Sequence, residues 1–152
     1  MRILRDQTAA VMIDIQERLY PVMHNKEALL DRLVMLVKGL KLMNIPVVAA
    51  QQYTKGLGET VEPLKSLFSD FKIVEKICFS CCDEPKLMDE ITALGKKFII
   101  IAGIEAHVCV LQTVSDLLQR DIRRLLSQTA YLPGIHMTRK SPLKECVPKA
   151  QS

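Results

Sequence analysis

KFIIIAGIEAHVCVLQTVSDLLQR, residues 97–120, decides the fold. Its first part, KFIIIAGI (97–104), is an apolar run of strand length, and an unbroken run of that kind marks a strand buried on both faces of a parallel sheet. AHVCVLQTVSDLLQR (106–120) follows at once, with Val110, Val114, Leu117 and Leu118 on one helical face. Working outward, the same alternation repeats. TAAVMIDI (8–15), IPVVAAQQ (45–52) and KIVEK (72–76) read as strands. Between them lies a helix over 26–43, capped by Asn25, stopped by Asn44 and striped by Leu29, Leu30, Leu33, Leu36, Val37 and Leu40. YTKGLGET (53–60) reads as a loop and VEPLKSLF (61–68) as a short helix, while PKLMDEITALG (85–95) begins with Pro and ends with Gly, as a helix should. Repeated strand–helix units with short connections predict an α/β protein, a three-layer α/β/α Rossmann-like sandwich with a mainly parallel sheet.

Composition agrees with a single globular domain. The chain has 152 residues, 49% hydrophobic and 25% charged, which excludes disordered and collagenous classes. No apolar run approaches the roughly 20 residues of a membrane span, and no signal-peptide pattern opens the chain, so the expected setting is cytoplasmic with no membrane partner. The net charge of +4 comes from 21 basic and 17 acidic residues in no block, and aromatics are 5% without Trp. Stacking platforms for nucleic acid are therefore scarce, and no nucleic-acid partner is expected. Five cysteines, at 78, 81, 82, 109 and 146, are odd in number and irregular in spacing, which predicts free thiols in a reducing compartment. The C-x-x-C at 78–81 lacks a second pair for zinc, and His24, His107 and His136 are scattered. Cys78 falls at a strand end and not at a helix start, against a thioredoxin-type pair.

In this architecture chemistry sits beyond the carboxyl ends of the strands. Asp14 ends the first strand, Lys76 closes the third, and Cys109 lies in the first turn after the fourth, where a helix N-terminus favours negative charge and lowers a thiol pKa. Asp14 then serves as base and Lys76 as cationic stabiliser of a thiolate. Taken singly, a strand-end Asp caps a loop, a Lys is solvated and a Cys is core; their convergence on one edge points to a site. His107 is a rival base, but residues two apart on a helix point to different sides.

MIDIQ (12–16), EKICFS (75–80) and AGIEAHVCV (102–110) together resemble the isochorismatase-like cysteine hydrolases. AAQQYTKGLGETVEPL (49–64) looks most like their short isochorismatase domain-containing members. The resemblance implies a catalytic triad of Asp14, Lys76 and Cys109. It also implies a non-proline cis peptide at Ile104–Glu105 that turns the N–H groups of Glu105 and Cys109 toward an oxyanion. The implied chemistry is hydrolysis of a small amide or related acyl substrate through a thioester. Isochorismatases themselves cleave a vinyl ether, often without the cysteine. Nicotinamidases of the wider family carry a metal-binding Asp and His set after the second strand; QQYTKGLG has no His, so no metal and no cofactor are expected. Gln16, Gln52 and Tyr53 are candidate substrate-binding residues, with loop capping and packing as their plainer roles.

The resemblance covers about residues 6–121 and divides the chain into a hydrolase domain, 1–121, and a divergent tail, 122–152. Where the family continues with a strand, an Asp-Ala/Cys-x-Ser-Ser-Arg-like turn and a helix, this chain reads IRRLLSQTAYLPGIHMTRKSPLKECVPKAQS. Read in a shifted frame, the codons of Ser127–Gly134 can spell Ala-Asp-Cys-Leu-Ser-Ser-Arg and those of Ser141–Val147 Ala-Leu-Glu-Arg-Met-Arg, which predicts a frameshifted tail. The last strand and helix are then altered or missing, with Ile122, Leu125 and Leu126 as a substitute strand and the rest packed on a neighbouring subunit of a homo-oligomer. Two functional classes follow: a cysteine hydrolase acting on a small molecule, or an inactive or weakly active member serving as a binding scaffold.

Overall fold

The computed structural model describes residues 4–104, 106–120 and the backbone of 125–127. Its centre is a five-stranded, all-parallel sheet in the order β3-β2-β1-β4-β5. The strands are β1 (Thr8–Ile13), β2 (Val47–Gln52), β3 (Lys72–Lys76), β4 (Phe98–Gly103) and β5 (Leu125–Ser127). Every residue of β1 is buried, as befits the middle strand of a sheet covered on both faces. β5 pairs with β4 through Ile99↔Leu125, Ile100↔Leu126 and Ile101↔Ser127, so the expected substitute strand forms at Leu125–Ser127. The expectations of a frameshifted tail packed on a neighbouring subunit lie outside the described residues.

Successive side chains of a strand point to opposite faces, and this period of two sorts the core into two layers. Val11 and Ile13, with Val48, Ala50, Val74, Ile99 and Ile101, face helices α4 (Pro85–Ala93) and α5 (Leu111–Gln119). Ala10 and Met12, with Val47, Ala49 and Ala102, face α1 (Lys26–Leu42) and the short α3 (Leu64–Leu67). Leu33, Val37 and Leu40 of α1 and Val114 and Leu117 of α5 supply the buried stripes, at the three- and four-residue steps of one helical face. α1 ends as its sequence asks. Asn44 takes φ 52°, its N–H donates to the Lys41 carbonyl and that of Ile45 to the Leu40 carbonyl. This is the Schellman pattern, closed by the apolar pair Leu40 and Ile45. α4 has Pro85 in its first turn, and Gly95 beyond its end at φ 59°.

Three local expectations are corrected. Asn25 precedes α1, but it sits at φ 52° and its side chain makes no capping hydrogen bond. The loop 53–60 contains one helical turn, α2 (Thr54–Leu57). The helix expected over 61–68 shrinks to α3, because Pro63 takes the N-cap position and denies the earlier residues a helical start.

β1 is flanked by β2 on one side and β4 on the other, so the chain winds outward in both directions from it. A crevice therefore opens beyond the carboxyl ends of β1 and β4. There the two strands approach unusually closely. A Cβ on Gly103 would lie 2.3 Å from the Ile13 carbonyl oxygen, and the Ile104 N–H donates to that same oxygen at 3.2 Å. Gly103→Ala must push β4 off β1, and chemical denaturation should show a loss of about 1–3 kcal/mol; unchanged stability would mean that the two strand ends are not held at this spacing.

Candidate active site

Asp14, Lys76 and Cys109 meet at that crevice. Asp14 is the first residue beyond β1 and takes φ 56°, a conformation that Asp tolerates better than most side chains. Its N–H still donates to the Ala50 carbonyl at 3.1 Å, so the turn begins while the ladder holds it. Lys76 ends β3, two strands away and therefore roughly 10 Å off. Its long stem spans β2, and Nζ donates to Asp14 Oδ2 at 2.7 Å, Gln52 Oε1 at 2.6 Å and the Cys78 carbonyl at 3.2 Å. Both charged side chains are fully buried. A pair this deep survives only with such hydrogen bonds around it, and removing one partner costs about 3–5 kcal/mol.

Gln52 pairs with Lys76 in the β2–β3 register, which brings its amide beside the ammonium. Its Nε2 donates to the Ile77 carbonyl at 2.6 Å. Gln16 is also completely buried. It donates to the carbonyls of Gln52 at 2.9 Å and Gly58 at 2.7 Å, and accepts from the Gln52 N–H at 2.7 Å. Its amide is thus committed to joining the loops after β1 and β2. Tyr53 is half-exposed at 49% and takes φ 36°, a strained conformation for a bulky residue. Its N–H donates to the Lys76 carbonyl at 2.9 Å. Its ring occupies the space above Gly56, where a Cβ would lie 2.3 Å away.

Cys109 belongs to a single π turn, Ala106–Val110, that leads into α5. Such turns recur at functional sites because the extra residue re-aims a side chain. The expected lowering of the thiol pKa is not what this setting produces. Burial pushes Cys109 up to about 12, and the charge of Asp14 and a hydrogen bond to it add to the rise, against the opposing pull of Lys76. A helix-end dipole of half a charge does not outweigh desolvation and a neighbouring carboxylate. With its pKa raised, Cys109 is held as a thiol beside the Asp14 carboxylate. Ile104 is fully buried, and the expected Ile104–Glu105 cis bond, with Glu105, lies outside the described residues. His107 is exposed on the π turn.

One residue of the site is not apparent from the sequence. Thr113 is buried; its Oγ1 donates to the Cys109 carbonyl at 2.7 Å and accepts from the Cys81 N–H at 2.9 Å. It fastens the turn after β3 to the turn after β4. The sequence signal, a Thr four residues after Cys109, is an ordinary helical back-bond until Cys81 arrives from another element. Cys81 is buried and its thiol is likewise raised to about 12, chiefly by desolvation. A groove of about 550 Å³ between β3 and α4, lined by Lys72, Glu75, Lys86 and Glu90 among others, contains none of these residues. Among the described residues, no three His, Cys, Asp or Glu side chains cluster to hold a metal ion. Thr113→Val should strand the Cys81 N–H and cost about 1–3 kcal/mol in a denaturation titration, and Thr113→Ser should recover most of it; equal losses in both would assign Thr113 to packing.

Comparison with known proteins gives the family of the fold. Residues 8–130 match the Isochorismatase domain family. The chain is 29% identical over 123 residues to isochorismatase domain-containing protein 2A of Mus musculus, covering 80% of this chain and 58% of that one. The structure of MAR1 ribonuclease from Caenorhabditis elegans superposes with a TM-score of 0.74 at 33% identity, covering 85% of this chain and 65% of that one. The YcaC gene product of Escherichia coli, an octameric hydrolase of unknown specificity, superposes at 0.78 and 22% identity, covering 83% of this chain and 63% of that one. The chain spans a little under three fifths of the mouse relative's length. The match over 8–130, on a parallel sheet of this order, makes the chain a member of the isochorismatase domain family.

Proposed function

We propose that the chain is a cysteine hydrolase of small amides or related acyl compounds, with Cys109 as nucleophile, Asp14 as general base and acid, and Lys76 as the charge that holds both. The observation that carries this reading is the buried gathering of the three groups: Lys76 Nζ lies 2.7 Å from Asp14 Oδ2, and the Asp14 carboxylate stands near enough to Cys109 to help raise its thiol. Family membership supports a hydrolase.

The raised thiol pKa fits this chemistry. It describes loss of the proton to water while Asp14 keeps its charge. Transfer to Asp14 is a different process: the carboxylate becomes neutral as the sulfur becomes negative, and Lys76 faces one negative charge before and after. The thiolate attacks the carbonyl carbon, and the C=O electron pair moves to oxygen. Backbone N–H groups at the π turn, Cys109 among them, are suited to receive that oxyanion. Collapse expels the amine, which takes its proton from Asp14, and leaves a thioester. Water, giving a proton to Asp14, then attacks the thioester; the acid departs and Asp14 returns the proton to sulfur.

Gln52 orients Lys76 in this scheme, and Gln16 fixes the backbone that carries Gln52. Tyr53, half-exposed at the edge, is the substrate-facing member of the three. The nucleophile works only as reduced sulfur, which supports a cytoplasmic location, and the octameric state of the E. coli relative supports a homo-oligomer. RNA cleavage, the activity named in the nematode relative at 33% identity, is the second reading.

Asp14→Asn separates these readings. Loss of the carboxylate removes two causes that raise the Cys109 pKa, so iodoacetamide alkylation mapped to Cys109 should titrate at lower pH than in the wild type, whose rate should still be climbing above pH 10. Ammonia release from a carboxamide panel should nonetheless fall about 10²–10⁴-fold. An unchanged alkylation profile would detach Asp14 from the thiol. RNA cleavage lost in both Asp14→Asn and Cys109→Ala, with no amide turned over, would give these residues to the second reading; neither RNA nor amide turned over would leave the family fold with neither role.

A further inference from the structure

The polar groups of this site are spent on one another. Lys76 gives its three ammonium protons to Asp14, Gln52 and the Cys78 carbonyl. Gln52 uses both ends of its amide, on Lys76 and on the Ile77 carbonyl, and Gln16 uses its own on the Gln52 and Gly58 backbone. Among the described residues the one buried cation, Lys76, is balanced by the one buried carboxylate, Asp14, and after proton transfer by the thiolate instead. A substrate carboxylate entering here would meet neither an uncompensated positive charge nor a free side-chain donor from these residues, and an unpaired charge taken out of water is strongly disfavoured.

The segments leaving the site are apolar on the outside. Ile77 and Phe79 bracket Cys78, whose carbonyl holds Lys76, and they are 78% and 56% exposed. Tyr53, next to Gln52, is 49% exposed. Large hydrophobic side chains left in water beside a buried reactive group offer apolar area for a ligand to cover. Of the cations on these elements, Lys72 pairs with Glu90 and Arg18 lends one N–H to the Gly56 carbonyl.

We infer that the site selects an acyl group without formal charge, carried on an apolar substituent that rests on Ile77, Phe79 and Tyr53. This rests on Cys109 being the nucleophile proposed above. It makes the substrate a neutral carboxamide or ester rather than a carboxylate-bearing acid.

Iodoacetamide and iodoacetate form the same bond to sulfur and differ in charge, so they test the point directly. The second-order rate constant of each at Cys109 is measured by peptide mass spectrometry on the intact chain, and divided by its value on glutathione at the same pH and ionic strength. The normalised ratio should favour the neutral reagent at least tenfold. Phe79→Lys, at an exposed position, should narrow the ratio several-fold by raising the iodoacetate rate, and added salt should reverse that gain. Met35→Gln, at an exposed position of α1, should leave the ratio as it is. A ratio near one, or one favouring iodoacetate, at a reactive Cys109 overturns the inference and leaves the nucleophile standing. A tenfold ratio indifferent to Phe79→Lys overturns the part played by the apolar rim. Failure of both reagents at Cys109, where the denatured chain takes both, overturns the nucleophile and the inference with it.

Discussion

The ion pair between Lys76 and Asp14 is the constraint around which this molecule is arranged. Two opposite charges lie fully buried at 2.7 Å, at the one edge of the sheet where strand ends leave room for them. Burying charge is costly unless every remaining lone pair and proton finds a partner, and the neighbouring residues serve that need. Gln52 stands in register beside Lys76, the Cys78 carbonyl takes another proton, and the Cys109 thiol adds a hydrogen bond to the carboxylate. The pair also fixes geometry: a lysine reaching from β3 across β2 to the end of β1 ties three strands together at their carboxyl ends.

Strain gathers where those strands end. Asp14 and Tyr53 both leave their strands with positive φ, and Gly103 admits an approach that no Cβ would allow. The π turn at Ala106–Val110 adds a further departure from regular structure. Such conformations persist when packing and hydrogen bonds around them over-determine the backbone. Here the sheet supplies the ladder bonds, and Gln16 and Thr113 supply cross-links between loops. The result is that Cys109 and Asp14 are held together by elements that meet only in the folded chain.

A thiol raised to about 12 is a poor nucleophile on its own, and a site designed around it works differently from one built on a standing thiolate. In the mechanism proposed above the proton moves internally, between sulfur and carboxylate, under a lysine whose compensating charge is constant. Such a site is quiet at rest and acquires its nucleophile only when an electrophile takes up the developing charge. With these side-chain donors and acceptors occupied, the recognition proposed above falls to backbone N–H groups and apolar surface.

By itself the sequence determined the α/β class, the order of its strands and helices, and the edge on which Asp14, Lys76 and Cys109 would fall. These are readable because strand burial, helix periodicity, the Pro85 start and the Asn44 and Gly95 stops are local properties of a few consecutive residues. Family motifs added roles to the three residues. Asn25, expected to cap α1, takes a left-handed backbone without a side-chain capping bond, and the Cys109 thiol expected to be low is raised, because its pKa depends on groups distant in the chain. Only the tertiary structure decided that Thr113 binds the Cys81 turn to Cys109, that Gln16 is spent on backbone, and that burial with Asp14 outweighs the helix end. Desolvation, charge balance and hydrogen-bond completion are sums over neighbours in space, and those neighbours come from residues tens of positions apart.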